Sequence, residues 1–260
     1  MNPATSAEPA AAELISAQRL DEAGQPIGGL GHAGVATAEA PPVALYVHVP
    51  FCVSHCPYCD FVVVSGREAR GPANRVGAFL DALEVELELR AAALDTRWGR
   101  PAAPGSGDET AFIPSSPGTE DDSASQGARR RPLDSLYLGG GTPSLLPPAA
   151  IARLIALVRE RFGLAPDAEV TLEANPGPDE RGDAGELRRA GVTRLSIGAQ
   201  SLDAAEVRAL GRRHAPADVA ATVDAARTAA IPSVSLDLLY DIPGSSLETW
   251  ARTLDAALAL

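Results

Sequence analysis

The stretch Arg194-Leu195-Ser196-Ile197-Gly198-Ala199-Gln200 alternates strictly, with Leu195, Ile197 and Ala199 on one side of an extended chain and Ser196, Gly198 and Gln200 on the other. Two further runs repeat the pattern. In Glu169–Ala174, Val170, Leu172 and Ala174 oppose Glu169, Thr171 and Glu173; in Ser233–Leu239, Val234, Leu236 and Leu238 oppose Ser233, Ser235 and Asp237. Stretches of helical period separate these runs, so the strands are expected to be parallel and joined by right-handed crossovers. Parallel strands buried between two helical layers are apolar on both faces, whereas strands inside an open-mouthed barrel can be polar on the inner one. The parity therefore predicts an α/β barrel or partial barrel with outer helices.

Outward from these runs, Ala44–Val49 and Asp134–Leu138 read as two earlier strands, five in all. Between the strands, a helix is expected over about Asn74–Leu94, with Val76, Phe79, Leu80, Leu83, Leu87 and Leu94 on one face. Pro147-Pro148 opens another, with Ile151, Leu154, Ile155, Val158 and Phe162 on one face. A third runs near Asp183–Ala190 and is closed by Gly191. Asp203 and Glu206 have the spacing of a capping box, a further helix spans about Pro216–Ala229, and the last, from Leu247, places Trp250, Ala251, Leu254 and Leu258 on one face. The chain stops on this helix, where the next strand of a barrel would follow.

The C-terminal ends of the strands bring Cys52, Gly140–Thr142, Glu173, Gln200 and Asp237 to one mouth, where barrel enzymes carry their chemistry. The triple glycine Gly139-Gly140-Gly141 is expected to let backbone N–H groups approach a ligand there. All three cysteines, Cys52, Cys56 and Cys59, lie in the loop after the first strand, within Tyr46–Phe61. Such a cluster suits either a structural zinc, with His55 or His48 as fourth ligand, or an iron–sulfur cube with one iron left open.

The formal charge of −12 argues against nucleic acid as the main partner. Arg129–Arg131 reads as a solvated patch within a polar, disordered surface insertion over about 98–132, and residues 1–41 read as a disordered tail. No apolar run reaches the roughly 20 residues of a membrane span, and no basic-then-apolar leader begins the chain. A cytosolic protein with reduced cysteines is expected.

Taken together, the motifs resemble a known family. Cys52-x3-Cys56-x2-Cys59, Gly139-Gly140-Gly141-Thr142-Pro143 and Glu173-Ala174-Asn175-Pro176 are similar to the radical S-adenosylmethionine superfamily. Tyr46-Val47-His48-Val49-Pro50-Phe51-Cys52, Leu195–Ser201, Gly211-Arg212-Arg213-His214 and Leu236-Asp237-Leu238-Leu239-Tyr240 resemble the oxygen-independent coproporphyrinogen III oxidase family and, within it, the HemW-type heme chaperones. The resemblance runs from about residue 44 to the last residue and implies a partial six-unit (β/α) radical SAM barrel, TIM-like, over 42–260. It also implies that the last strand and a C-terminal substrate or heme region are missing, leaving an open barrel edge. Cys52, Cys56 and Cys59 would ligate a 4Fe-4S cluster whose open iron chelates S-adenosylmethionine, and reductive cleavage of that cofactor would be expected. Tyr46, Tyr58, Gly140, Gly141, Thr142, Glu173, Gln200, Arg212 and Asp237 fall on positions that contact S-adenosylmethionine in the family.

Heme or a porphyrinogen, a reductant protein such as flavodoxin or ferredoxin, and a heme acceptor are the implied partners. Cys59 is followed by Asp60-Phe61, as in the chaperones, where the oxidase has a further cysteine. Asp241 stands where the family more often has Gly. Read from residues alone, His48 is a packed or hydrogen-bonded strand histidine, Arg213 a solvated neighbour of Arg212, and His214, Trp98 and Trp250 have no signal beyond position.

Overall fold

The computed structural model describes residues 40–72, 74–102 and 129–260. The chain divides into two units, Met1–Ala40 and Pro41–Leu260, and the fold below is that of the second. The expected tail, except its last two residues, and the middle of the expected insertion lie outside the described residues.

Five parallel strands are hydrogen-bonded in chain order: β1 (Ala44–Val49), β4 (Leu133–Gly140), β5 (Leu164–Ala174), β6 (Arg194–Gln200) and β7 (Ser233–Leu238). Between β1 and β4, the short strands β2 (Phe51–Cys52) and β3 (Val64–Ser65) pair with each other and frame the cysteine loop. The helices are α1 (Val76–Trp98), α2 (Pro148–Arg161), α3 (Ala184–Ala190), α4 (Ala204–Ala209), α5 (Pro216–Thr228) and α6 (Leu247–Leu258). A doubly wound sheet reverses its strand order at the middle. This one does not reverse, as expected of a barrel segment wound in one direction, and β1 and β7 form its edges.

The apolar side of the strand parity is buried in β4, β5 and β6, while Val234, Leu236 and Leu238 of the edge strand β7 are half-buried. Leu136, Leu138, Val170, Leu172, Leu195 and Ile197 are buried, as are Ile151, Leu154, Ile155 and Val158 of α2 and Val219 and Val223 of α5. Moving any strand by one residue would exchange this set for its polar neighbours, so the apolar core itself sets the register. Register places Tyr46, Tyr137, Thr171, Arg194 and Ser233 in one cross-sheet row and Glu173, Ser196 and Ser235 in the next, all on the polar face.

Local signals mostly do what their chemistry dictates. Gly191 takes φ 109 and closes α3, with Val192 N–H donating to Leu187 O at 3.1 Å. Asp203 caps α4, its Oδ1 accepting from Ala205 N and Glu206 N at 2.8 and 3.2 Å. The reciprocal half of the expected capping box is not formed. Ser201 Oγ instead accepts from Asp203 N at 3.0 Å and donates to Glu206 Oε2 at 2.6 Å, so a hydroxyl stands between the two ends of the box.

Three expectations change. Helix α1 continues to Trp98, burying Ala91, Leu94 and Trp98, with the Arg97 guanidinium 4.8 Å over the indole. Helix α6 turns Ala251, Leu254 and Leu258 outward, and the side it packs carries Thr253, whose hydroxyl lies 3.2 Å from Ser201 Oγ. That buried hydroxyl pair orients the helix, and among the described residues nothing covers Leu258, which is 86% exposed. Finally, Arg130 is not solvated. It is 1% exposed and donates to Asp95 Oδ1, to Gly99 O at 2.5 Å and to Arg161 O at 2.9 Å. A buried guanidinium is tolerated because a carboxylate and two carbonyls accept hydrogen bonds from it. Arg129 and Arg131 remain exposed, as expected. Among the described residues, no helix is long and apolar enough to cross a membrane.

Candidate cofactor site at the strand ends

A cavity of about 300 Å³ opens at the C-terminal ends of the strands. Of the residues expected there, Cys52, Cys56, Cys59, Tyr58, Gly140, Gly141, Thr142, Glu173, Gln200, Arg212 and Asp237 all line it. Tyr46 stands apart. Its ring stacks on Tyr137 at 5.9 Å and 29°, and its hydroxyl lies 3.2 Å from His48 Nδ1. Because His48 Nε2 faces the Val62 carbonyl at 2.9 Å, that nitrogen carries the proton and Nδ1 accepts from Tyr46. His48 is thus held in the fold, as its strand position predicts.

The glycine turn has a different purpose from the one expected. Gly140 N–H donates to Glu173 Oε2 at 2.9 Å, Gly141 N–H to Val49 O at 2.8 Å and Thr142 N–H to Phe51 O at 2.7 Å, so these amides face protein acceptors. A Cβ at Gly140, whose φ is +106°, would sit 2.4 Å from the His48 ring, and one at Gly141 would sit 2.7 Å from Phe51 O. The glycines let β4 end directly against the base of the cysteine loop.

Glu173 also accepts from Tyr137 Oη at 2.8 Å, and burial followed by that carboxylate pushes the Tyr137 pKa up to about 12. Asp237 accepts from Ser196 Oγ at 2.9 Å, and desolvation raises its pKa despite the Ser196 bond. Arg194 reaches Glu169 at 3.0 Å and Ser235 Oγ at 3.2 Å. The inner polar face implied by the strand parity is therefore hydrogen-bonded under the cavity, one group centred on Glu173 and another running through Asp237, Ser196, Ser235, Arg194 and Glu169. Gln200 has φ +65°, at a register shift between β6 and β7, and its carbonyl accepts from Leu239 N–H at 2.8 Å. Left-handed backbone in a side-chain-bearing residue costs on the order of 1 kcal/mol and is tolerated where neighbours hold it.

The three cysteines are free and half-buried, and Cys59 N–H turns back onto Cys56 O at 3.0 Å. Burial pushes the Cys52 thiol up, while the Thr142 hydroxyl, 3.6 Å from its sulfur, pulls it down. Arg212 Nη1 lies 3.6 Å from Cys56 Sγ and 3.4 Å from Tyr58 Oη; its Nη2 donates to Asn175 Oδ1 at 2.5 Å and Gly198 O at 2.8 Å. Both ring nitrogens of His48 are engaged, which removes one of the two fourth ligands a zinc site would draw on. Among the described residues, no set of three or more His, Cys, Asp or Glu is gathered tightly enough for a single ion. Three free thiols on one cavity wall, two of them facing hydrogen-bond donors, fit an anionic thiolate-bound cluster.

Several residues at the site were not singled out in the sequence. Asn175 Nδ2 donates to Thr142 Oγ1 at 3.0 Å and to Glu180 Oε2 at 2.8 Å. Glu180 is buried and pairs with Arg213 at 3.2 Å, so Arg213 is not merely a solvated neighbour. His214 is buried with Nε2 3.1 Å from Ala199 O, and its pKa is lowered by burial and then by Arg212. Asn175 was within reach, since it belongs to the quoted Glu173–Pro176 motif.

The model of the radical SAM superfamily matches residues 116–257, more than half of the chain and wholly downstream of the cysteine loop. The heme chaperone HemW of Mycobacterium tuberculosis (strain CDC 1551 / Oshkosh) is 36% identical over 225 residues, covering 86% of this chain and 48% of that protein. That of Escherichia coli (strain K12) is 32% identical, covering 85% and 49%. The chain thus spans about half the length of these curated relatives. Among solved structures, coproporphyrinogen III oxidase (HemN) from Escherichia coli, described as a radical SAM enzyme, is 30% identical with a TM-score of 0.63, covering 85% of this chain and 42% of that one. The unreversed parallel sheet, the thiol-bearing mouth and the matched family model lead to one conclusion: this chain belongs to the radical SAM superfamily.

Proposed function

We propose that the protein is a cytoplasmic radical SAM protein of heme metabolism acting as a HemW-type heme chaperone, which binds heme and passes it to an acceptor. What carries this reading is the meeting of all three cysteines with Thr142, Glu173, Gln200, Arg212 and Asp237 around one cavity, in a chain whose relatives are named heme chaperones. Cys52, Cys56 and Cys59 would hold a 4Fe-4S cluster. When bound with S-adenosylmethionine, the cluster supplies one-electron cleavage of the sulfonium.

The chain's own residues bind and orient. Each Glu173 oxygen already accepts one hydrogen bond and keeps a lone pair for an ammonium or a hydroxyl. Asp237, anchored by Ser196, offers a second acceptor for ribose hydroxyls across the cavity. Gln200 is fixed by its backbone and presents both a donor and an acceptor. Tyr46 braces this arrangement through Tyr137, which holds Glu173. The reductant would be a flavodoxin- or ferredoxin-type protein.

A second reading, a coproporphyrinogen III oxidase, is favoured by the solved neighbour at 30% identity. Asp60-Phe61, where the oxidase has a further cysteine, weighs against it. Anaerobic reconstitution with iron and sulfide tests the common part: about four irons per chain with broad visible absorption are expected, and zinc without iron would sink it. Heme titration then separates the branches. Retained heme supports the chaperone, and turnover of coproporphyrinogen III to protoporphyrinogen under reducing conditions overturns it.

A further inference from the structure

Asn175 joins two side chains that donate toward cysteine sulfurs. Thr142 Oγ1 faces Cys52 Sγ at 3.6 Å, and Arg212 Nη1 faces Cys56 Sγ at 3.6 Å. Asn175 touches both, through Nδ2 to Thr142 at 3.0 Å and Oδ1 to Arg212 at 2.5 Å. Its amide cannot be turned over. Arg212 only donates, so it must meet Oδ1, and Glu180 Oε2, 2.8 Å from Nδ2, is a carboxylate that needs the amide protons.

Directionality follows from this orientation. Since Thr142 Oγ1 accepts a hydrogen bond from Asn175, its own O–H is left to point at Cys52. Arg212, drawn onto Oδ1 and Gly198 O, has its other terminal nitrogen aimed at Cys56 and Tyr58. Glu180 in turn is fixed by Arg213 at 3.2 Å and lies buried in the loop after β5, so the anchor of the chain is rigid. Along Asn175 Nδ2, Thr142 Oγ1 and Cys52 Sγ each donor points toward the sulfur, whereas Asn175 Oδ1 accepts from Arg212 Nη2 and so leaves Nη1 to face Cys56.

We propose that Asn175 is a positioning residue for the metal centre: it aims Thr142 and Arg212 at Cys52 and Cys56 and thereby raises the reduction potential of the cluster held there. Hydrogen bonds to ligand sulfur stabilise the reduced, more negative form, so they shift the potential upward. This rests on the cluster reading above.

The experiment is an EPR-monitored redox titration with dithionite of the full chain after anaerobic reconstitution, on wild type, Asn175→Ala, Thr142→Val and the double variant. Asn175→Ala should bind iron and sulfide as wild type does but become harder to reduce, by about tenfold in the reduced-to-oxidised ratio at a given potential, or about 59 mV for one electron. Thr142→Val should shift the same way, and the double variant should shift by less than the sum, because one route to Cys52 is removed twice. A full cluster at the wild-type potential in Asn175→Ala overturns the proposal and leaves the cluster reading intact. Wild type that takes up no cluster instead sinks the cluster reading itself, and the proposal with it. Where Asn175→Ala holds no cluster, Thr142→Val decides: a fall in potential supports the relay, and an unchanged one overturns it.

Discussion

Arg130 and Arg212 sit at opposite ends of the sheet, and both are gripped by several acceptors at once. Arg130, at the N-terminal end of β4, makes its side-chain contacts within the fold's frame: the Asp95 carboxylate and the carbonyls of Gly99 and Arg161. It ties the end of α1 to the end of α2 and to the chain entering β4, so both ends of the segment between Pro101 and Arg130 are clamped, as their β-bridge also shows. Arg212, at the C-terminal mouth, divides its donors between the frame, Asn175 and Gly198, and groups that face the cavity, Cys56 and Tyr58. The same side chain is thus structural at one end and site-directed at the other. What distinguishes them is whether the partners are saturated by the fold or left facing a space.

The widest test of this division removes the chemistry at the mouth. Replacing Cys52, Cys56 and Cys59 together by Ala should abolish iron and sulfide uptake, yet change unfolding free energy by no more than about 0.5 kcal/mol, because half-exposed thiols contribute little to packing. Urea denaturation alongside iron analysis checks both halves. Arg130→Ala should do the reverse, costing about 3 kcal/mol in urea unfolding, since it leaves the Asp95 carboxylate short of its closest cation. Cluster content per folded chain should be unaltered. A variant with normal stability and lost iron would break the comparison.

Finer changes sharpen it. Asp203→Ala should cost about 1 kcal/mol near neutral pH, the usual value of an N-cap. The pKa of Asp203 is lowered from 3.8, first by the Glu206 and Ala205 amides. A depressed folded-state pKa gives stability that is present above the unfolded value and lost as pH falls through the folded one. The gap between wild type and variant should therefore close on acidification below about pH 4, as followed by urea midpoints. Smallest is Ala230→Gly. Ala230 has φ +54° at the end of α5, in a turn where Ile231 N–H returns to Ala226 O at 3.0 Å. Glycine there should raise stability by about 0.5 kcal/mol, the relief of left-handed strain less the flexibility it adds to the unfolded chain. The same exchange at Gln200 should gain similar stability but lose a cavity wall, so its S-adenosylmethionine affinity should fall while that of Ala230→Gly does not.

Asp241 shows how far motif reasoning reaches. Its position favours glycine by resemblance, and the backbone there has φ +58°, a region that aspartate enters more readily than most residues. The turn is kept at the cost of a strained side-chain-bearing residue. Helix α6 shows the opposite outcome. Its periodicity marks Ala251, Leu254 and Leu258 as the packing face, but the Ser201 and Thr253 hydroxyls set the helix rotation instead. Period reports which face is apolar, and a buried hydroxyl pair can decide which face is inward.

By itself, the sequence determined the strands, their order and their polar inner face, because alternation and helical period are local properties that survive without knowledge of contacts. It also placed the cysteine loop, Thr142, Glu173, Gln200 and Asp237 at one mouth, since parallel strands must deliver their C-terminal ends to the same side, while Arg212 was legible only through the family resemblance. Only the tertiary structure decided what those groups hold on to. That Arg130 is buried, that Gly140 and Gly141 turn their amides inward, and that Asn175 bridges Thr142 and Arg212 all depend on residues far apart in the chain. Such partnerships are set by distance and donor direction across elements, which no pattern along one strand or helix records.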